Sequence, residues 1–225
     1  MNILEFKEVS KIYNQDQAGI QELSFSVREG ELIALAGPSG SGKTTALNIA
    51  AGLDDFNRGE VNLLNCSLLN LKPDEVLRLR RGQVGFIFQS YNLLPVLTVL
   101  ENVEYPLALK RVRQAERMKK AKTWIKEVGL EGLESRMPNE LSGGQQQRVA
   151  VARAMVTEPK IIFADEPTAN LDATTAEMLL KLFQRLNEDQ GTTFIFSSHD
   201  PRVLKFANRV ITLTDGKLLN ESAMN

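Results

Sequence analysis

An α/β fold, built on a largely parallel sheet with helices on both faces, is what this sequence predicts. Two observations carry that expectation. Short apolar strands alternate with helical segments both before and after a mostly helical stretch. One of those strands also runs straight into a glycine-rich turn that opens a helix. With 225 residues the chain is long enough for one domain with a sizeable core, or for two closely packed lobes. We read residues 1–225 as a single domain, with a helical subdomain inserted at about 90–155.

The elements follow in order. Strands are expected over Ile3–Val9 and Ile20–Val27, the second alternating Leu23, Phe25 and Val27 with polar residues. Glu31–Ala36 reads as a buried strand, Gly37–Gly42 as the turn, and Lys43–Ala51 as the helix after it. Val84–Phe88 is a further short strand. Thr98 and Glu101 fit a capping box that starts a helix towards Leu109. A second helix spans Arg113–Val128, with Ala115, Met118, Ala121, Ile125 and Val128 at helical spacing, and a third opens near Gly143 and ends before Pro159. After this insert the alternation resumes with strand Ile161–Ala164, helix Ala173–Asp189, and strands Thr192–Phe196 and Val210–Leu213. Asp215-Gly216 marks a hairpin turn.

Composition narrows the function classes. The chain is 43% hydrophobic and 24% charged with formal net charge −1, a balance that argues against a protein held on nucleic acid by bulk positive charge. The basic run Lys110–Lys126 is interrupted by Glu116 and Glu127 at helical spacing and reads as a solvated helix face. A lone cysteine, Cys66, cannot form an internal disulfide, which favours a reducing compartment; it is expected to be a buried, inert thiol. Glu5, Lys7 and Glu8 break the apolar pattern of Met1–Ser10, so that segment resembles a strand and not a signal peptide. Nowhere do roughly 18 uncharged apolar residues run together. Direct membrane insertion is therefore not expected, and any membrane role must come through a partner.

Three motifs carry chemistry. Gly37-Pro38-Ser39-Gly40-Ser41-Gly42-Lys43-Thr44, followed by Thr45, matches a phosphate-binding loop between strand and helix. Its glycines let backbone N–H groups turn towards phosphate oxygens, and the helix N-terminus adds positive potential. Lys43 can reach the β- and γ-phosphates and Thr44 can bind Mg²⁺. At the end of strand Ile161–Ala164, Asp165 would hold Mg²⁺, and Glu166 could polarise an attacking water. Leu141-Ser142-Gly143-Gly144-Gln145 forms a second phosphate-binding helix tip. The ATP of this chain already has its phosphate loop, so the second tip makes sense if it caps the ATP of another copy.

Taken together, these motifs resemble the ATP-binding subunits of ABC transporters over nearly the whole chain. The resemblance implies a P-loop NTPase core, an N-terminal antiparallel β subdomain and the inserted helical subdomain. It also implies roles for further residues. Tyr13 stands where the family stacks an aromatic on adenine, although it could equally be a core aromatic. Gln89 matches the glutamine loop that touches Mg²⁺ and senses the γ-phosphate. Ala169-Asn170-Leu171-Asp172 matches the D-loop, with Ala169 where relatives commonly carry Gly or Ser. His199, the only histidine, matches the switch histidine. Val84 to Pro95, then Leu97-Thr98 and Glu101-Asn102-Val103, look like the branch serving lipoprotein release and macrolide-type export.

The resemblance thus implies an ATPase that uses ATP and Mg²⁺ and forms a homodimer on binding ATP. It would couple hydrolysis to an integral membrane permease from the cytoplasmic face of the inner membrane. Alternative readings are a soluble ABC ATPase acting on nucleic acid or ribosomes, or a signalling ATPase of the cell-division type. The span from Lys43 to Ser142 leaves room for a compact helical lobe and not for a DNA-repair coiled coil, and the chain has one phosphate loop where ribosome-acting members carry two. A small-molecule kinase would leave Ser142–Gln145 unexplained. The apolar loop Gln89–Leu97 is expected either to contact the permease or to pin the helical lobe to the sheet.

Overall fold

The computed structural model describes residues 1–14 and 17–223, and in these the strands form two sheets. The first is antiparallel, in the order β2-β1-β4-β5, from β1 (Asn2–Asn14), β2 (Gln17–Arg28), β4 (Arg58–Leu63) and β5 (Cys66–Ser67). The second has the order β10-β9-β3-β8-β7-β6. In it β3 (Leu32–Ala36), β6 (Val84–Ile87), β7 (Ile161–Asp165), β8 (Thr193–Ser197) and β9 (Arg209–Thr214) run parallel, and β10 (Lys217–Ala223) returns antiparallel along β9. The helices are α1 (Lys43–Ala50), α2 (Pro73–Gln83), α3 (Val99–Leu109), α4 (Gln114–Glu127), α5 (Gly143–Met155), α6 (Ala173–Gln190) and α7 (Pro201–Phe206).

Two cores lie on opposite faces of the parallel sheet. Along β3, Ile33 and Leu35 join one core while Leu32, Ala34 and Ala36 join the other; β7 and β8 divide their residues the same way. That alternation is the period of a strand, and burial of both faces makes these strands read as unbroken apolar runs. Leu4, Phe6, Ile20 and Leu23 of the antiparallel sheet close one core with α1. The other core is closed by α3, α4, α5 and α6, through residues such as Val103, Ile125, Val151 and Phe183.

Local chemistry sets several boundaries. Thr98 caps α3 as expected, its Oγ1 accepting from Glu101 N at 3.3 Å while Glu101 Oε2 accepts from Thr98 N at 2.8 Å. Asp215 and Gly216 have φ of 50° and 76°, the pair of positive values that a two-residue hairpin turn between β9 and β10 requires.

Four elements depart from the expectation. β4, β5, α2 and α7 were not anticipated: α2 fully buries no residue and its apolar residues Val76 and Leu79 are spread among many charged ones, and β5 is two residues long. Cys66 is half-buried and not buried, because β5 is an edge strand paired only with β4.

Candidate active site

β3 ends at the carboxyl edge of the parallel sheet, where open α/β folds place their ligands. There the backbone turns through Gly37, Gly40 and Gly42, with φ of 142°, 80° and 96°. A Cβ on Gly37 would lie 2.3 Å from Leu213 O, and one on Gly42 would lie 2.4 Å from Gly19 O, so only glycine fits at either position. Gly42 caps α1 without a side-chain bond, which leaves the first N–H groups of the helix free to bind an anion. Lys43 is buried and folds over the loop, its Nζ donating to Gly37 O at 2.8 Å and Pro38 O at 2.9 Å. Ser41 Oγ is buried with no partner. A cradle with free N–H groups, an ammonium and an orphaned hydroxyl fits a polyphosphate.

The adjacent strands supply the carboxylates. Parallel register pairs Asp165 of β7 with Ser197 of β8. Ser197 Oγ donates to Asp165 Oδ1. Thr44 Oγ1 lies 3.1 and 3.2 Å from the two Asp165 oxygens, which brings the phosphate loop and the strand-end carboxylate together. The Thr44 hydroxyl and the Gln89 amide line one cavity, and with the Asp165 carboxylate that touches Thr44 they form a hard-oxygen donor set that fits Mg²⁺. Glu166 follows with φ of 43°, in the left-handed region, its N–H donating to Ser197 O and Oγ, both at 3.1 Å. His199 Nδ1 stands 2.8 Å from Glu166 Oε1, and Ser198 Oγ donates to Glu166 Oε2 at 3.3 Å. Tyr13, Ser39, Gly40, Gly42, Lys43, Thr44, Thr45, Gln89, Glu166 and His199 line one cavity of about 370 Å³.

Ser142, Gly143, Gly144 and Gln145 are elsewhere. Ser142 caps α5 in a box with Gln145 (2.9 and 3.3 Å), and Ser142 and Gly144 border a separate cavity beside α6. A Cβ on Gly144 would lie 2.5 Å from Thr175 Cγ2, and one on Gly143 would lie 2.9 Å from Tyr91 Oη. A side chain at either position would have to displace Tyr91 or Thr175.

The sequence profile described as ABC transporter matches residues 20–169, well over half of the chain. The chain belongs to the ABC transporter family. It is an ATP-binding cassette, an ATPase of the transporter class. An uncharacterized ABC transporter ATP-binding protein of Methanocaldococcus jannaschii, MJ0796, is 42% identical over 99% of this chain and 97% of its own length. Its dimeric structure, described as a post-hydrolysis state bound to ADP and Pi, superposes with a TM-score of 0.92, covering 99% of each chain at 41% identity. The lipoprotein-releasing system ATP-binding protein LolD of Francisella tularensis is 42% identical over 96% of this chain and 95% of its own length. A macrolide export ATP-binding/permease protein, MacB of Syntrophobacter fumaroxidans, is 40% identical over 99% of this chain, which spans only 32% of that longer relative.

Other cassette residues sit where the fold gives them a structural task. Asp172 caps α6, accepting from Thr175 N at 3.0 Å and from Thr175 Oγ1 at 2.6 Å, bonds that hold its carboxyl below the usual range. Asn170 Nδ2 donates to Gln89 O at 3.1 Å and so ties the segment between β7 and α6 to the glutamine. Beyond Gln89, Tyr91 and Asn92 both have left-handed backbone (φ 62° and 48°). Arg153 of α5 clamps that pair, donating to Asn92 O at 2.6 Å and Tyr91 O at 2.8 Å. Tyr13, for which a core position was an open alternative, is 46% exposed. Sequence reasoning overlooked Ser197, whose role comes from strand register, and Gly19, which lines the cavity.

Proposed function

We propose that this cassette works as an ATP-driven homodimer beneath an integral membrane permease, with Lys43, Glu166 and His199 as its catalytic groups. The observation that carries the reading is the convergence, in one cavity, of a phosphate cradle, the Glu166–His199 pair and the exposed ring of Tyr13. Gly37 to Thr45 bind the phosphates, Lys43 turning from its loop carbonyls to the β- and γ-oxygens. Thr44, Asp165 and Gln89 would hold Mg²⁺, which when bound neutralises charge developing on the phosphate oxygens. Glu166 accepts a proton from the attacking water, and His199, hydrogen-bonded to it, orients that water against the γ-phosphate. Tyr13 stacks on the adenine.

Ser142, Gly143, Gly144 and Gln145 lie outside this cavity and serve the partner's ATP in a head-to-tail dimer, with Asp172 in the D-loop beside them. The relatives' names favour export or lipoprotein release as the coupled process. Among the described residues no helix is long and apolar enough to cross a membrane. The name of the macrolide export ATP-binding/permease relative supports placement on the cytoplasmic face beneath a permease. We read it as one domain, in which α3 to α5 form the helical subdomain.

Glu166→Gln tests the assignment. The variant keeps the size of the side chain, loses the base, and removes repulsion against the γ-phosphate. ATP should still bind, hydrolysis should fall by at least about a hundredfold, and an ATP-bound dimer should accumulate in size-exclusion chromatography. Near-normal turnover would overturn the role of Glu166.

A further inference from the structure

An exposed aromatic side chain on a strand ordinarily samples several rotamers. Tyr13 is exposed, yet it is held from several sides. Its Oη lies 2.9 Å from Asp54 Oδ2 and 3.3 Å from Thr45 Oγ1. With a single proton to give, the phenol donates to the carboxylate and accepts from the threonine. Lys11 Nζ stands over the ring, 5.1 Å from its centroid. That ammonium is nearly buried and is also bonded to Asp54 Oδ1 at 2.9 Å and to Asp55. Gly19 leaves room for the ring edge, because a Cβ there would lie 2.8 Å from Tyr13 Cε2.

The bonding pattern persists across the neutral range. Burial and the nearby Asp54 push the Tyr13 phenol up, so it keeps its proton. Burial works to raise the Asp54 carboxyl, but the bonds from Lys11 and Tyr13 outweigh it and hold the group below the usual range.

We propose that Asp54 and Lys11 are positioning residues for the nucleotide base, fixing the plane of Tyr13 before the nucleotide arrives. The inference rests on reading Tyr13 as the residue that stacks on the base. A ring already immobilised loses less freedom on binding than a mobile one, so more of the stacking free energy appears as affinity. The neighbours Thr44 and Thr45 then divide the work at the start of α1. Thr44 faces the metal-site carboxylate at the phosphate end, and Thr45 holds the platform at the base end.

Calorimetric titration of the full chain with ADP, and with inorganic pyrophosphate as a ligand lacking the base, tests this. Tyr13→Phe and Asp54→Asn should each weaken ADP about threefold to tenfold and leave pyrophosphate within about twofold. In steady state Asp54→Asn should raise KM for ATP with little change in kcat. Tyr13→Phe keeps the ring and the Lys11–Asp54 pair, so it reports on the tether even if Asp54→Asn fails to fold. If Tyr13→Ala weakens ADP while Tyr13→Phe binds it as the parent does, stacking stands and the tether proposal falls. If Tyr13→Ala binds ADP normally, the stacking assignment itself is wrong. Equal loss for ADP and pyrophosphate would move the effect to the phosphate loop and overturn the proposal.

Discussion

Ser197 is fully buried, and its hydroxyl serves both acidic residues of the site: it donates to Asp165 and accepts from the backbone N–H of Glu166. A hydrogen bond to a charged group contributes about 1.5–3 kcal/mol, and here it also fixes which way the Asp165 oxygens point. Ser197→Ala should therefore raise the Mg²⁺ concentration needed for half-maximal ATPase activity by about tenfold or more. Mg²⁺ titrations alongside thermal melts separate this from simple destabilisation; an unchanged Mg²⁺ requirement would leave Ser197 with a structural role only. Legibility in the sequence divides along the same line. Lys43, Thr44, Asp165, Glu166 and His199 were readable as site candidates because residue type and local spacing mark them, and the fold brings them together. Ser197 and the Asp54–Tyr13 tether were not, because they depend on strand register and on contacts between residues far apart in the chain.

Among the elements, the loop from Gln89 to Leu97 shows how an apolar run can mislead. Leu93 packs against the core, and Leu94 and Leu97 are half-buried. Buried Asn102 of α3 pins the loop, accepting from Leu94 N at 2.8 Å and donating to Leu94 O, Leu97 O and Thr98 O at 2.9–3.1 Å. Val96, by contrast, is 78% exposed at the tip. A charge at Leu94 would thus disturb folding, whereas Val96→Glu should leave the melting temperature and basal ATPase unchanged and abolish stimulation by the permease. Stimulation that survives in Val96→Glu would place the contact elsewhere. The same physics explains which elements the sequence revealed. β3, β7 and β8 are buried on both faces and announce themselves as apolar runs, while α2 is mostly charged and fully buries no residue.

For the whole molecule, Ser142 borders a different cavity from Lys43, and on the proposed head-to-tail dimer each site would be completed by the other chain. A mixed dimer of one Lys43→Ala copy and one Ser142→Arg copy tests this. One site then combines both defects and the other is intact, so ATPase activity of about half that of the parent dimer should survive. If each mutation disables only its own chain's loop, activity disappears and the composite arrangement fails. The Arg153 clamp has a further consequence for such a dimer. Gln89 lines the cavity of Lys43, but two residues later Tyr91 abuts Gly143 at the start of α5, and Arg153 locks the backbone of Tyr91 and Asn92 to that same helix. The Gln89 segment and the tip of α5 therefore share one rigid mount while bordering different cavities. Whatever displaces one end of that mount displaces the other, so the two cavities are joined by backbone and not only by the side chains that line them.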